Sequence, residues 1–347
     1  MPPTVDELHA GLRDLLLERL ELEPVILGAR IGMGGDLLAR AIVRDTGGFT
    51  LDPVAGGGDR QLLVENLTRE IIQSIQELPV EALAHAGRAA EQARVAVANH
   101  YGKDLGLALS AAAGGGTEDT IDEWTIARAL GPEPQGTLLA VRDAHRLPNA
   151  TLWELRDLSS AGMHLLLLTT PEHREQMHAR EAPFYGMSSY LEMPTIPLPN
   201  WTARLSPDIH PELLGELLRQ TRFRTAITLE ILERHEQHPT PDLGSAWFYA
   251  VNSRKDEARA VLAISRGIHE LAPRLLVALA RDEAPYARTS ERSDRIALAL
   301  RRLRENDLVE QPEPRQWQIA DPLLGAAIRC LQPGYVEIYP EISQPWN

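Results

Sequence analysis

A single cysteine, Cys330, stands in the 347 residues, which rules out an internal disulfide framework and any metal site built on several thiolates. Lysine is almost missing too: only Lys103 and Lys255 occur, and every other cation is an arginine. No apolar run approaches the roughly 20 residues that span a bilayer. The opening stretch MPPTVDELHAGLRD is acidic and amphipathic, not signal-like. The chain therefore reads as a soluble cytoplasmic protein without a membrane partner. Positive charge is in deficit as well. A formal net charge of −14 excludes non-specific coating of nucleic acid and confines any DNA contact to a local basic patch.

What is present is an ordinary globular composition in a chain long enough for two or three domains. VDELHAGLRDLLLERLE (5 to 21) has leucines at helical spacing. PVILGA, 24 to 29, is a short apolar run closed by glycine, the pattern of a buried strand. GDLLARAIVRD follows as a helix and GGFTLDPVAGG as a strand. Two amphipathic helices are expected at 59 to 78 and 80 to 102, a strand and loop at 105 to 116, and a helix at 120 to 130. GTLLAVRDAHRL is then a strand, ATLWELRDLSSAG a helix and MHLLLLTT a strand. This alternation over residues 24 to 170 predicts a parallel α/β sheet covered on both faces. The proline-containing FYGMSSYLEMPTIPLPN is expected to leave the sheet and lead into a mostly helical block, 208 to 266, broken at HPTPD.

The stretch GARIGMGGDLLARAI, 28 to 42, has the form of a phosphate-binding loop between a strand and a helix. Setting Gly32, Met33 and Gly34 on the usual glycine positions puts Gly35 where a lysine grips the terminal phosphates, and Asp36 where a Ser or Thr holds magnesium, with Leu37 next. Gly28 lies one residue too far upstream for the G-x-x-x-x-G frame. An aspartate facing a triphosphate repels it, costing on the order of a kcal/mol in a partly buried site. A second station is GTLLAVRDAHRLPN, where such ATPases end a strand in two acidic residues, one for metal and one for the attacking water. Here the pair is Arg142 and Asp143. A third station, HLLLLTTP, ends in Thr169 and Thr170, where a polar sensor residue belongs.

On these three stations the chain resembles the AAA+/STAND-type P-loop ATPases, in particular the archaeal-type ATPase group with a C-terminal winged helix. The resemblance covers about residues 5 to 330, with every motif degenerate. It implies a degenerate AAA+-like α/β domain over 1–205, a helical lid over 206–266, a winged helix over 267–331 and a tail over 332–347. It further implies a vestigial nucleotide cleft at Gly32 to Leu37 and Thr169, holding no cofactor, or ATP or ADP weakly and without turnover. No metal site is expected.

At the C-terminal end, 269 to 281 and 293 to 307 read as helices, and 308 to 324 as two short strands around a proline turn, the winged-helix order. Ile296, Leu300 and Leu303 should face the core. Arg292, Arg295, Arg301, Arg302 and Arg304 are left toward solvent, DNA or a protein partner, with Arg315 on the wing. Arginines and acidic residues balance at ten each over 268 to 330, so this unit as a whole is neutral.

Other residues draw plainer readings. His145 orients its turn. His235 and His238 mark a solvated helix end, and Trp247, Phe248 and Tyr249 belong to the core. Arg219, Arg222 and Arg224 form a solvated helix face, an inter-subunit arginine finger being the sharper alternative. The preferred function is a catalytically degenerate binding or scaffolding subunit, alone, as a homo-oligomer or beside a partner. The alternatives are an active but divergent ATP-dependent switch using Asp143, and a winged-helix transcription regulator whose body senses a small ligand.

Overall fold

The computed structural model describes residues 2–46, 48–51, 138–147, 149–160, 162–205, 209–237, 243–286 and 291–332. The helices, strand and loop expected between 59 and 130, and His238, lie outside the described residues. The chain divides into two compact units: residues 10–29 with 35–193, and residues 1–9 with 30–34 and 194–347.

The chain enters through a short helix, α1 (Val5–Leu8), closed by a capping box in which Thr4 Oγ1 accepts from the Glu7 N–H and the Glu7 carboxylate accepts from the Thr4 N–H. Helix α2 (Ala10–Leu20) then opens the first unit. Among the described residues it has five strands, all parallel: β1 (Val25–Gly28), β2 (Phe49–Leu51), β3 (Leu138–Val141), β4 (His164–Thr169) and β5 (Ser189–Glu192), in the order β2-β3-β4-β1-β5. β1 and β3 are buried along their whole lengths, which is why they read as unbroken apolar runs rather than as alternations. Register sets Val25 beside Leu166 and Gly28 beside Thr169, so β1 and β4 end together at one edge of the sheet.

Helix α3 (Gly35–Thr46) follows β1 and buries Leu38, Ala39 and Ile42. Each fully covered Leu or Ile contributes about 1.5–3 kcal/mol. Helix α4 (Asn149–Ser160) buries Leu152 and Leu155, and a short α5 (Arg174–His178) buries Met177. The expected parallel α/β fold of P-loop type is thus the fold observed. The sheet nonetheless runs one strand further than the alternation suggested. Ser189–Glu192, within the stretch expected to leave the sheet, pairs with β1 as β5. An edge strand with three half-buried residues and one exposed needs no apolar run, so SYLE carries no strand signature.

The second unit is helical. Helices α6 (Leu198–Thr202), α7 (Pro211–Gln220), α8 (Thr225–Gln237) and α9 (Leu243–Ser253) are followed by α10 (Lys255–Ile268), α11 (Ala272–Ala280) and α12 (Ser293–Glu305). A two-stranded antiparallel ribbon, β6 (Val309–Glu313) and β7 (Gln316–Ile319), leads into α13 (Pro322–Cys330), which packs on α10 and α11. Ile296, Ala299, Leu300 and Leu303 recur at helical spacing and are all buried, as the periodicity required. The helix expected at 269 to 281 is α11, and α10 stands before it as the first of three. Residues 322 to 324 begin α13 rather than continue a strand. Pro312 sits where the ribbon's register slips between Glu310 and Glu313, the irregularity that lets a proline into a strand. Trp247 is buried as expected; Tyr249, one helical step round, is exposed and does not belong to the core.

Candidate functional site

In an open parallel sheet, ligands collect beyond the carboxyl ends of the strands. In the first unit that edge carries Asp36 in the first turn of α3, Arg142 and Asp143 after β3, His145 in a 3-10 turn (Ala144–Arg146), and Thr169 and Thr170 after β4. The structure thus brings Asp36 together with the second and third sequence stations at one edge.

Two opposite charges at that edge face each other. The Arg142 guanidinium lies 3.7 Å from the Asp36 carboxylate, an ion pair rather than a hydrogen bond. Both side chains are part-exposed, so the pair contributes at most about 1 kcal/mol. Its importance is its place. It joins the first turn of α3 to the end of β3 through the two residues that the motif order set at the Ser/Thr and metal-acid positions. Each substitution was visible in the sequence as a defect; that they answer each other becomes visible only when α3 and β3 are folded together.

Asp143 has φ 44° and ψ 40°, left-handed backbone that costs a non-glycine residue about 1–2 kcal/mol, and its side chain makes no capping hydrogen bond. Thr169 is buried and its Oγ1 lies 3.2 Å from His145 Nδ1. The His145 ring stacks on His173 with centroids 4.0 Å apart, and the His145 carbonyl accepts from Gln176 Nε2 at 2.9 Å. His145 therefore ties the 3-10 turn to the end of β4 and to α5, the orienting role expected of it.

Gly35, at the lysine position, has no room for a side chain. A Cβ there would sit 2.6 Å from Ala29 Cβ and 3.6 Å from Leu168 Cδ2. The missing lysine is thus matched by the packing around it. Leu37, the next site candidate, is exposed at the start of α3.

The glycine loop itself belongs to the second unit. Gly32 (φ 79°) and Gly34 (φ 89°) are in backbone that favours glycine, with Met33 buried between them. The Gly32 carbonyl accepts from Ala226 N at 2.9 Å and Ile227 N at 3.3 Å, two N–H groups in the first turn of α8. A helix N-terminus leaves four such donors without intrahelical partners. The loop serves as their acceptor. A Cβ on Gly32 would overlap Ile227 Cδ1, and one on Gly34 would press on Val5 and Ala226. Met33 and the two glycines are packed between α1 and α8.

Of the three arginines read as a solvated face, only Arg219 fits, pairing in the open with Glu216. Arg222 donates to the Ile319 carbonyl at 2.6 Å, and Arg224, 3% exposed, forms a buried ion pair with Glu310 of β6. Neither the solvated-face reading nor the arginine finger holds for these two. Among the arginines of α12, Arg292 is bidentate to Asp294, Arg295 pairs with Glu291 and Glu270, and Arg302 donates to the Ile268 carbonyl. Arg304 is half-buried and has a partner of its own. Arg301 is exposed and enters no ion pair among the described residues. Arg315 is exposed at the ribbon's tip with φ 70°.

No protein-family model and no curated protein matches the chain. Solved structures do. The Orc1 protein of Aeropyrum pernix in complex with DNA is 12% identical, with 94% of this chain and 92% of that one aligned at a TM-score of 0.42. Cdc6p of Pyrobaculum aerophilum is 13% identical over 94% and 93%, TM-score 0.40. A signal transduction ATPase with numerous domains, carrying a tetratricopeptide repeat sensor, from Pyrococcus horikoshii is 14% identical over 92% of this chain and 42% of its own, TM-score 0.39. This chain spans less than half of that last protein. These are likenesses of overall arrangement; the fold class stands on the strand order and register above. Among the described residues no helix is long and apolar enough to cross a membrane.

Proposed function

We propose that this protein is a non-hydrolysing relative of the AAA+/STAND-type ATPases that works as a binding or scaffolding subunit. The observation that carries the reading is the Asp36–Arg142 ion pair, in which a guanidinium takes the position where a metal-binding acid would be expected. The absence of space at Gly35 supports it, since a lysine cannot be restored there without moving Ala29. The reading leaves room for ATP or ADP held weakly through backbone amides, without turnover. Purified protein with ATP and magnesium should release phosphate no faster than a buffer blank, and Asp143→Asn should change nothing. Hydrolysis that Asp143→Asn abolishes would establish the divergent-switch alternative instead.

The three helices and ribbon after Lys255 are read as a winged helix whose partner is DNA. This reading rests on Arg301 and Arg315, not on the DNA bound to the Aeropyrum protein. Pro314–Arg315 joins β6 to β7, and the second of two such residues is held at positive φ, where a turn prefers glycine. Strain kept at an exposed arginine points to a task for its side chain. Arg315→Gly should therefore stabilise the ribbon by a few tenths to about 1 kcal/mol. In the same variant, salt-sensitive affinity for duplex DNA should fall, the log–log salt slope dropping by about 1 for the lost phosphate contact. DNA binding unchanged in both Arg315→Gly and Arg301→Ala would turn the module into a protein-docking surface.

A further inference from the structure

The turn between α7 and α8 is strained and doubly tied. Arg222 and Phe223 are consecutive non-glycine residues at φ 53° and 57°. Arg222 reaches the Ile319 carbonyl of β7, and Arg224 reaches Glu310 of β6, whose carboxylate also accepts from Gln318 Nε2 at 2.6 Å. At its other end the same turn runs into α8. The first-turn N–H groups of α8 are held by the Gly32 carbonyl, and its Ile227 side chain fills the space beside Gly32, with Arg224 Cβ close by. One seven-residue segment therefore touches both the glycine loop and the root of the ribbon.

We propose that residues 221–227 latch the glycine loop to the ribbon, so that loop and ribbon open and close as one cooperative unit and a contact made at either end is felt at the other. The physical basis is that close-packed segments tied by buried polar contacts have few intermediate arrangements. Arg224 cannot leave Glu310 without stranding a buried charge, and Gly32 cannot move without uncapping α8. The coupling is reciprocal by necessity: whatever stabilises the seated loop holds the ribbon, and a partner gripping the ribbon holds the loop. The inference does not require the loop to hold a nucleotide.

Amide hydrogen exchange of the full chain tests this, read at the ribbon, Val309–Ile319. Ile227→Ala removes the contact with Gly32 and leaves the Arg224–Glu310 pair in place; ribbon exchange should still rise by about tenfold. Glu310→Gln should raise it by at least as much. In the double variant the increases should not multiply, because the first change already opens the unit. Should Glu310→Gln fail to fold, Gln318→Leu, which leaves the ion pair in place, replaces it in the same cycle. Ribbon exchange within about twofold of wild type in Ile227→Ala overturns the latch. Increases that multiply in the double variant overturn it as well.

Discussion

Arg224→Met should destabilise the protein by about 3–5 kcal/mol, the usual consequence of removing one member of a buried ion pair. Both partners are almost wholly covered, with side chains 3% and 4% exposed. The methionine fills most of the volume, so the loss comes from Glu310, which loses its paired guanidinium and keeps the longer-range field of Arg222. Its second contact, Gln318 Nε2, is a neutral donor and cannot replace a guanidinium. Arg224→Met/Glu310→Met should recover most of the loss, because the pair is imperfect to begin with: Arg224 Nε is buried without a hydrogen-bond partner. Denaturant unfolding of the three proteins at pH 7 is the measurement. A single variant within 1 kcal/mol of wild type, taken as roughly one net hydrogen bond, would mean that the pair is open to water.

This arginine also shows where sequence reading stops. RQTRFR has three cations in six residues, and locally that pattern describes a solvated surface. What buries Arg224 is Glu310, 86 positions later, in a strand whose usual alternation is broken by the slip at Pro312, so that Val309 and Glu310 are both buried. No window along the chain contains both charges. The central sheet was legible for the opposite reason. VILG, LLAV and LLLL are covered on both faces, so each strand announces itself without reference to a partner. β5 was not, because half of its surroundings is solvent.

The candidate site lies between these cases. Arg142, Asp143 and Thr169 fall at strand ends, as the motif order expected, since strand ends lie at fixed distances from the apolar runs before them. Chemistry between stations was not legible. Asp36 looked like a charge that would repel a ligand, and it is instead the partner of Arg142. The glycine loop looked like a vacant cradle, and its Gly32 carbonyl is the cap of α8. Glycine signals positive φ whether the loop wraps a phosphate or a helix end, so composition alone cannot separate the two uses.

A second large effect is expected from His9, which had no sequence signature. Its ring is buried, its Nε2 lies 3.2 Å from Thr225 Oγ1 at the start of α8, and its Nδ1 has no hydrogen-bond partner. Burial lowers its pKa from the usual 6.5 to about 4. A histidine whose folded value is depressed favours the neutral form. Between about pH 4 and 6.5 the unfolded chain therefore binds the extra proton, and stability falls as pH is lowered through that window. At about 1.4 kcal/mol for each pH unit between the two values, the loss from pH 7 to 4.5 should be on the order of 2–3 kcal/mol. Asp321 acts in the opposite direction: desolvation raises its pKa, so its contribution is lost as pH rises through the folded value. The informative quantity is thus the difference between wild type and His9→Gln, which keeps an amide within reach of Thr225 and cannot titrate. The variant should lose that share of the pH dependence while Asp321 acts equally in both proteins. Unfolding free energies that decline in parallel for the two proteins between pH 7 and 4.5 would show that water reaches the His9 ring. In that case the seam between α1, the glycine loop and α8 opens in solution far more readily than its packing implies.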